Sequence, residues 1–123
     1  MPDGMLIRFL LPPAELHTDY PTGNILVANM EERNIDDFTR SNINYLKANM
    51  PGVTILHKGV FNAAGAQGRW FTYTKVQNGI KRDMINYIIP SNGFAYMVTF
   101  GSNQGSFNKY RRLFDDIARS VKG

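Results

Sequence analysis

The chain has no cysteine, which excludes disulfides, thiolate catalysis, cysteine-type zinc sites and an acylated lipoprotein cysteine. Its two histidines, His17 and His57, are far apart and have no Glu or Asp at ligand spacing, so no metal site is expected. No serine sits in a Gly-x-Ser-x-Gly elbow. The "GAQG" of residues 65–68 is too short for a dinucleotide fingerprint, and it leads into a strand where that motif would open a helix. Long apolar runs are missing as well. The "MLIRFLL" near the amino terminus is short, is broken by Arg8 and lacks a small-residue cleavage site, so it reads as neither signal peptide nor membrane span. Neither an internal repeat nor a low-complexity segment is present.

Acidic residues are scarce in one part of the chain. Of 123 residues, 14 are Lys or Arg and 10 are Asp or Glu, a net charge of +4. Residues 1–51 carry four basic and seven acidic side chains, whereas residues 52–123 carry ten and three. This asymmetry points either to an acidic partner for the second half or to halves that complement each other in the fold. The carboxylate pairs Glu31-Glu32, Asp36-Asp37 and Asp115-Asp116 are poor acid–base pairs, because adjacent residues do not face each other on a helix. No catalytic residue and no cofactor is assigned.

What is present is the texture of one folded domain, with 43% hydrophobic and 20% charged residues. Residues 5–11 read as a strand that Pro12 and Pro13 end, and "NILVANM" after Gly23 reads as a second. Asn34 is a plausible N-cap, with Asp36 and Asp37 in the first turn. Ile35, Phe38, Tyr45, Leu46 and Met50 keep a helical period up to Pro51-Gly52. Beyond that point β-branched and aromatic residues alternate with turn signals. "VTILHKGVF" is a strand, "NAAGAQG" a small-residue loop and "RWFTYTKV" the next strand.

Two asparagine–glycine pairs, Asn78-Gly79 and Asn92-Gly93, mark tight hairpins, since a type I′ turn needs positive φ at both central residues. They set the registers: Tyr73 opposite Met84, Trp70 opposite Tyr87, Tyr87 opposite Val98 and Ile85 opposite Phe100. One face then carries Trp70, Ile85, Tyr87, Ile89, Tyr96, Val98 and Phe100, and the other Phe71, Tyr73, Met84, Ile88, Ala95 and Met97. A sheet apolar on both faces needs cover on both sides or a cavity on one. A second helix, N-capped by Ser106, supplies a stripe of Phe107, Tyr110, Leu113, Phe114, Ile117, Ala118 and Val121. The fold class is α+β: an antiparallel meander with helices on both faces.

The candidate site is the hairpin tip formed by Lys75, Lys81 and Arg82. Lys75 and Arg82 lie opposite each other, a like-charge pairing that costs stability. The aromatics around this tip belong to the core and do not form a base-stacking platform. The RNP pattern is absent, so no specific nucleic-acid binding is expected. The last helix carries Lys109, Arg111, Arg112, Arg119 and Lys122. Asp115 and Asp116 lie (i, i+4) from Arg111 and Arg112, which makes this a solvated face and not a membrane surface.

Gly68, Tyr73, Gly79, Gly93, Tyr96, Thr99, Phe114, Ile117 and Ser120, within residues 24–121, resemble the PsbP/DcrB-like superfamily. The resemblance implies an α/β/α sandwich and a non-enzymatic adaptor, chaperone or assembly role with a protein partner. It also implies an extracytoplasmic location. Members usually open with a strand and a Pro-x-x-Trp-like segment, whereas Trp70 is the only tryptophan here. The chain is therefore expected to be one PsbP-like domain, 1–123, without the family's first strand or an export leader. A carrier for a small apolar ligand, with a helix-grip cavity between sheet and last helix, is the alternative.

Overall fold

The computed structural model of the protein describes residues 5–10, 22–50, 52–63, 65–77, 79–105 and 107–121. The expectations at Pro12, Pro13, His17, Pro51, Asn78, Ser106 and Lys122 fall outside these residues. Strands β1 (Met5–Leu10) and β2 (Thr22–Asn29) precede helix α1 (Ile35–Asn49). A meander follows: β3 (Thr54–Ala63), β4 (Ala66–Gln77), β5 (Ile80–Ser91) and β6 (Phe94–Asn103), then helix α2 (Phe107–Ser120).

The six strands form one antiparallel sheet in the order β1-β2-β6-β5-β4-β3. The β2–α1–β3 connection carries the chain from one side of the sheet to its far edge, and the meander returns until β6 meets β2. Both hairpin registers agree with the turn chemistry. Tyr73 pairs with Met84, Trp70 with Tyr87, Tyr87 with Val98 and Ile85 with Phe100. Asn92 and Gly93 adopt φ 50° and 82°, and Gly79 adopts 76°, the left-handed values such turns require.

The two apolar faces each have a helix. On one, Phe61, Ile85, Tyr87, Val98 and Phe100 pack with Tyr110, Phe114 and Ala118 of α2. Phe100 and Phe114 stack at 4.6 Å between ring centroids. On the other, Phe71, Tyr73, Met84 and Ile88 pack with Met30, Phe38, Ile43 and Leu46. Helix α1 begins as its sequence indicates. The Asn34 side-chain oxygen accepts from the Asp37 N–H at 2.8 Å, satisfying one of the free donors of the first turn.

Three local expectations are corrected. Tyr45 and Leu113 are exposed, at 65% and 40%. Both fall at the margin of their helical stripes, while Ile43 joins the core in α1. The "NAAGAQG" loop shrinks to a tight turn. β3 runs to Ala63, β4 starts at Ala66, and Asn62 pairs with Gln67. Gly65, at φ 79°, lets the chain reverse at once, so the ladder extends through residues whose composition suggested a loop.

Gly68 lies where two backbones meet. A Cβ there would come within 2.2 Å of the Ile88 carbonyl oxygen, and that atom belongs to the neighbouring strand and has no rotamer to change. Gly68→Ala is expected to destabilise the fold by about 1–3 kcal/mol, the usual cost of overpacking. Urea unfolding should show a lower midpoint with an unchanged slope.

Candidate functional site

The hairpin tip divides between the two sides of the sheet. Lys75 pairs in register with Arg82 and Val76 with Lys81. Successive strand residues point to opposite faces, so Lys75 and Arg82 share the α1 side and Lys81 lies on the α2 side. Arg82 is held across the sheet. Its Nη1 donates to Asn103 Oδ1 at 2.8 Å and its Nη2 to Thr22 Oγ1 at 3.2 Å, linking β5 to β6 and β2. The Lys81 side chain is exposed, while its carbonyl accepts from the Gln104 N–H at 3.1 Å. Burial, and then the nearby Arg82 guanidinium, push the Lys75 ammonium below its ordinary pKa.

Charge also gathers where the sequence gives no local signal. A groove of about 620 Å³ lies between α1 and the β3–β4 edge, with Arg40, Lys47, Lys58 and Arg69 against a single carboxylate, Asp36. Arg69 Nε donates to Asp36 Oδ1 at 2.8 Å, and Arg40 pairs with Asp37 just outside at 3.0 Å. The Arg69 hydrogen bond holds the Asp36 carboxyl below its usual pKa against the opposing effect of desolvation, with the charges of Arg69, Arg40 and Lys58 adding to the lowering. Lys47 and Lys58 are surplus positive charge. The four cations are spread over residues 40–69 and converge only because α1 lies across the β3–β4 side of the sheet.

A second cleft, of about 270 Å³, opens between the β3 bulge and the start of α2, with His57, Thr72, Asp83, Asn108 and Arg111 on its walls. Two of these groups already have structural duties. Asp83 accepts from the Gly105 N–H at 3.2 Å, tying the β6–α2 turn to β5. Arg111 pairs with Asp115 at 3.3 Å and lies 4.8 Å over the Trp70 ring. Asp115 in turn accepts from the buried Tyr87 hydroxyl. Burial, and then that hydrogen bond, raise the Tyr87 pKa well above normal. This chain fixes α2 over the sheet, and of it only the Arg111–Asp115 pair follows from sequence spacing. Among the described residues no group of three His, Asp or Glu side chains could hold a metal ion.

No family model matches the sequence, and no curated protein matches it. Solved structures do. A Pseudomonas aeruginosa protein of unknown function superimposes with a TM-score of 0.85 at 12% identity, covering 100% of this chain and 85% of that one. The cyanobacterial PsbP of Synechocystis matches at TM-score 0.61 and 11% identity, over 98% and 82% of the two chains. LpqN of Mycobacterium tuberculosis, involved in cell envelope biogenesis, matches at 0.59 and 16%, over 93% of this chain and 66% of LpqN. The chain has the PsbP-like fold: an α+β sandwich with an antiparallel sheet between helices. At these identities the likeness is one of fold.

Replacing Lys75 by Gln removes the like-charge pair and leaves the Arg82 hydrogen bonds in place, and it should stabilise the protein by about 0.2–1 kcal/mol at neutral pH. Because the folded-state pKa is lowered, the cost of the ammonium is fully present below that pKa and is relieved as pH rises through it. The advantage of Lys75→Gln should therefore shrink in alkaline solution, as read from denaturation midpoints at neutral pH and across the lysine titration.

Proposed function

We propose that this chain is a non-enzymatic protein-interaction or assembly module of the PsbP-like type, acting through its outer surface on a partner that carries acidic groups. The observation that carries this reading is the filling of both sheet faces. Where a helix-grip carrier would hold its ligand, between sheet and last helix, the space is taken by Tyr87, Phe100 and Phe114, all fully buried, and by Phe61. Side chains that meet at 4.6–6.0 Å between ring centroids use up the interior, which favours the module over the carrier. What the surface offers is localised positive charge: the Lys75, Lys81 and Arg82 tip and the groove beneath α1.

The likeness to LpqN supports an extracytoplasmic setting for the module. Among the described residues no helix is long and apolar enough to cross a membrane. We take residues 1–123 as one PsbP-like domain, a reading supported by the joining of the six described strands in a single sheet.

The test is retention of a native-host protein on immobilised wild-type chain against the Lys75→Glu, Lys81→Glu, Arg82→Glu triple variant. Because Arg82 braces three strands, the single variant Lys81→Glu and a circular dichroism spectrum accompany it. A partner bound by the wild type, weakened by Lys81→Glu and lost from the folded triple variant is the expected result. Equal retention by all three would remove the tip as a contact, and retention of no protein by the wild type would overturn the module reading.

A further inference from the structure

Strand β3 is one edge of the sheet, opposite β1, and is hydrogen-bonded to β4 alone among the described strands. Such an edge presents unpaired N–H and C=O groups to any extended chain, and proteins usually blunt it with charge, bulges or brevity. β3 is ten residues long. It does carry a bulge, where the register slips between Ile55 and His57 and the His57 N–H turns to the Thr72 hydroxyl at 3.2 Å. Beyond the bulge the pairing runs unbroken from His57 to Ala63. The one Lys or Arg in this stretch is Lys58, and apolar side chains are exposed on either side of it. Val60 is 54% exposed, and Leu56, in the bulge, is 50% exposed.

The groove beneath α1 opens along this same stretch, with Lys58, Gly59 and Val60 forming its β3 wall and Arg40 and Lys47 its helix wall. A strand added beside β3 would send alternate side chains toward that groove and the rest toward the α2 side. On the groove side they would meet Lys58 and Lys47, which among the described residues are in no ion pair, whereas Asp36 and Asp37 pair with Arg69 and Arg40. A second copy of β3 would be a poor occupant, since antiparallel pairing centred on Lys58 sets lysine against lysine.

We propose that β3 is a strand-addition site for an extended acidic peptide segment of a partner protein, with apolar residues and carboxylates alternating so that the carboxylates reach Lys58 and Lys47. The main chain supplies the pairing and the lysines the choice of partner. This rests on the module reading and gives it a docking surface distinct from the hairpin tip.

The test uses a fluorescein-labelled peptide of alternating valine and glutamate, about ten residues long to match a long natural strand. A second peptide carries lysine in place of every glutamate. Anisotropy titration should show saturable binding of the first and none of the second. The affinity should fall about tenfold in Lys47→Glu, Lys58→Glu and also at raised salt. Amide hydrogen exchange should slow at residues 57–63 when the glutamate peptide binds. Because these lysines are exposed, the double variant is expected to fold, and an unchanged thermal midpoint checks it. Absence of saturable binding, equal binding of both peptides, indifference to the double variant or protection confined to other strands would each overturn the proposal. So would a dimer of the free protein in sedimentation with residues 57–63 already protected, because the occupant would then be a second copy. A native partner lost from the tip variant, with no peptide bound at β3, would leave the module reading intact and remove this edge from it.

Discussion

The structure depends on a sheet that must be dry on both sides. β5 is the clearest case, with buried residues in unbroken succession from Met84 to Ile89. A strand of that kind cannot lie at a wet surface, so it needs a neighbour on each edge and a helix on each face. The topology supplies all four: β4 and β6 beside it, α1 across one face and α2 across the other. Once these are in place, the interior is occupied by the protein's own aromatic rings, and the strand edges, hairpin tips and helix margins are left at the surface.

Polar anchoring acts on top of this packing. Tyr87 reaches from the middle of the sheet to Asp115, which Arg111 also holds, and the Arg111 guanidinium covers Trp70. Trp70 in turn lies over Gly59, where a Cβ would stand 2.7 Å from the indole ring. The edge strand, the central strand and α2 are thus joined through one buried hydroxyl, one ion pair and one ring. The same contacts leave the outward edge of β3 untouched, which is why the strand can be fixed in place and still offer its edge.

Much of the fold was legible because its signals are local. Asn92 and Gly93 set a turn, the turn sets a register, and the register sorts Tyr87 and Ile88 to opposite faces without knowledge of anything distant. Asn34 and the acidic first turn place α1 in the same way. The pairing of β2 with β6 was not legible, because some 70 residues separate the partners and neither strand carries a mark for the other. Tyr45 and Leu113 misled because hydrophobicity alone does not say which edge of a helical stripe meets the sheet. The candidate sites divide along the same line. Lys75 and Arg82 were found through a hairpin register, whereas the groove joining Lys47 to Lys58 exists only in the folded topology. The same register did not reveal that Arg82 is braced to Asn103 and Thr22, contacts that need β6 and β2 in place.

Helix α2 fills the sheet face against which it lies. Phe114 is fully buried, stacked on Phe100 and in ring contact with Phe107 and Tyr110. The direct measurement is the unfolding free energy of Phe114→Ala. A filled interface predicts a loss of about 3–5 kcal/mol, the cost of truncating a fully packed aromatic. A loss below about 1 kcal/mol would mean that the face has room to spare, and the filled sandwich, with the surface function built on it, would be wrong.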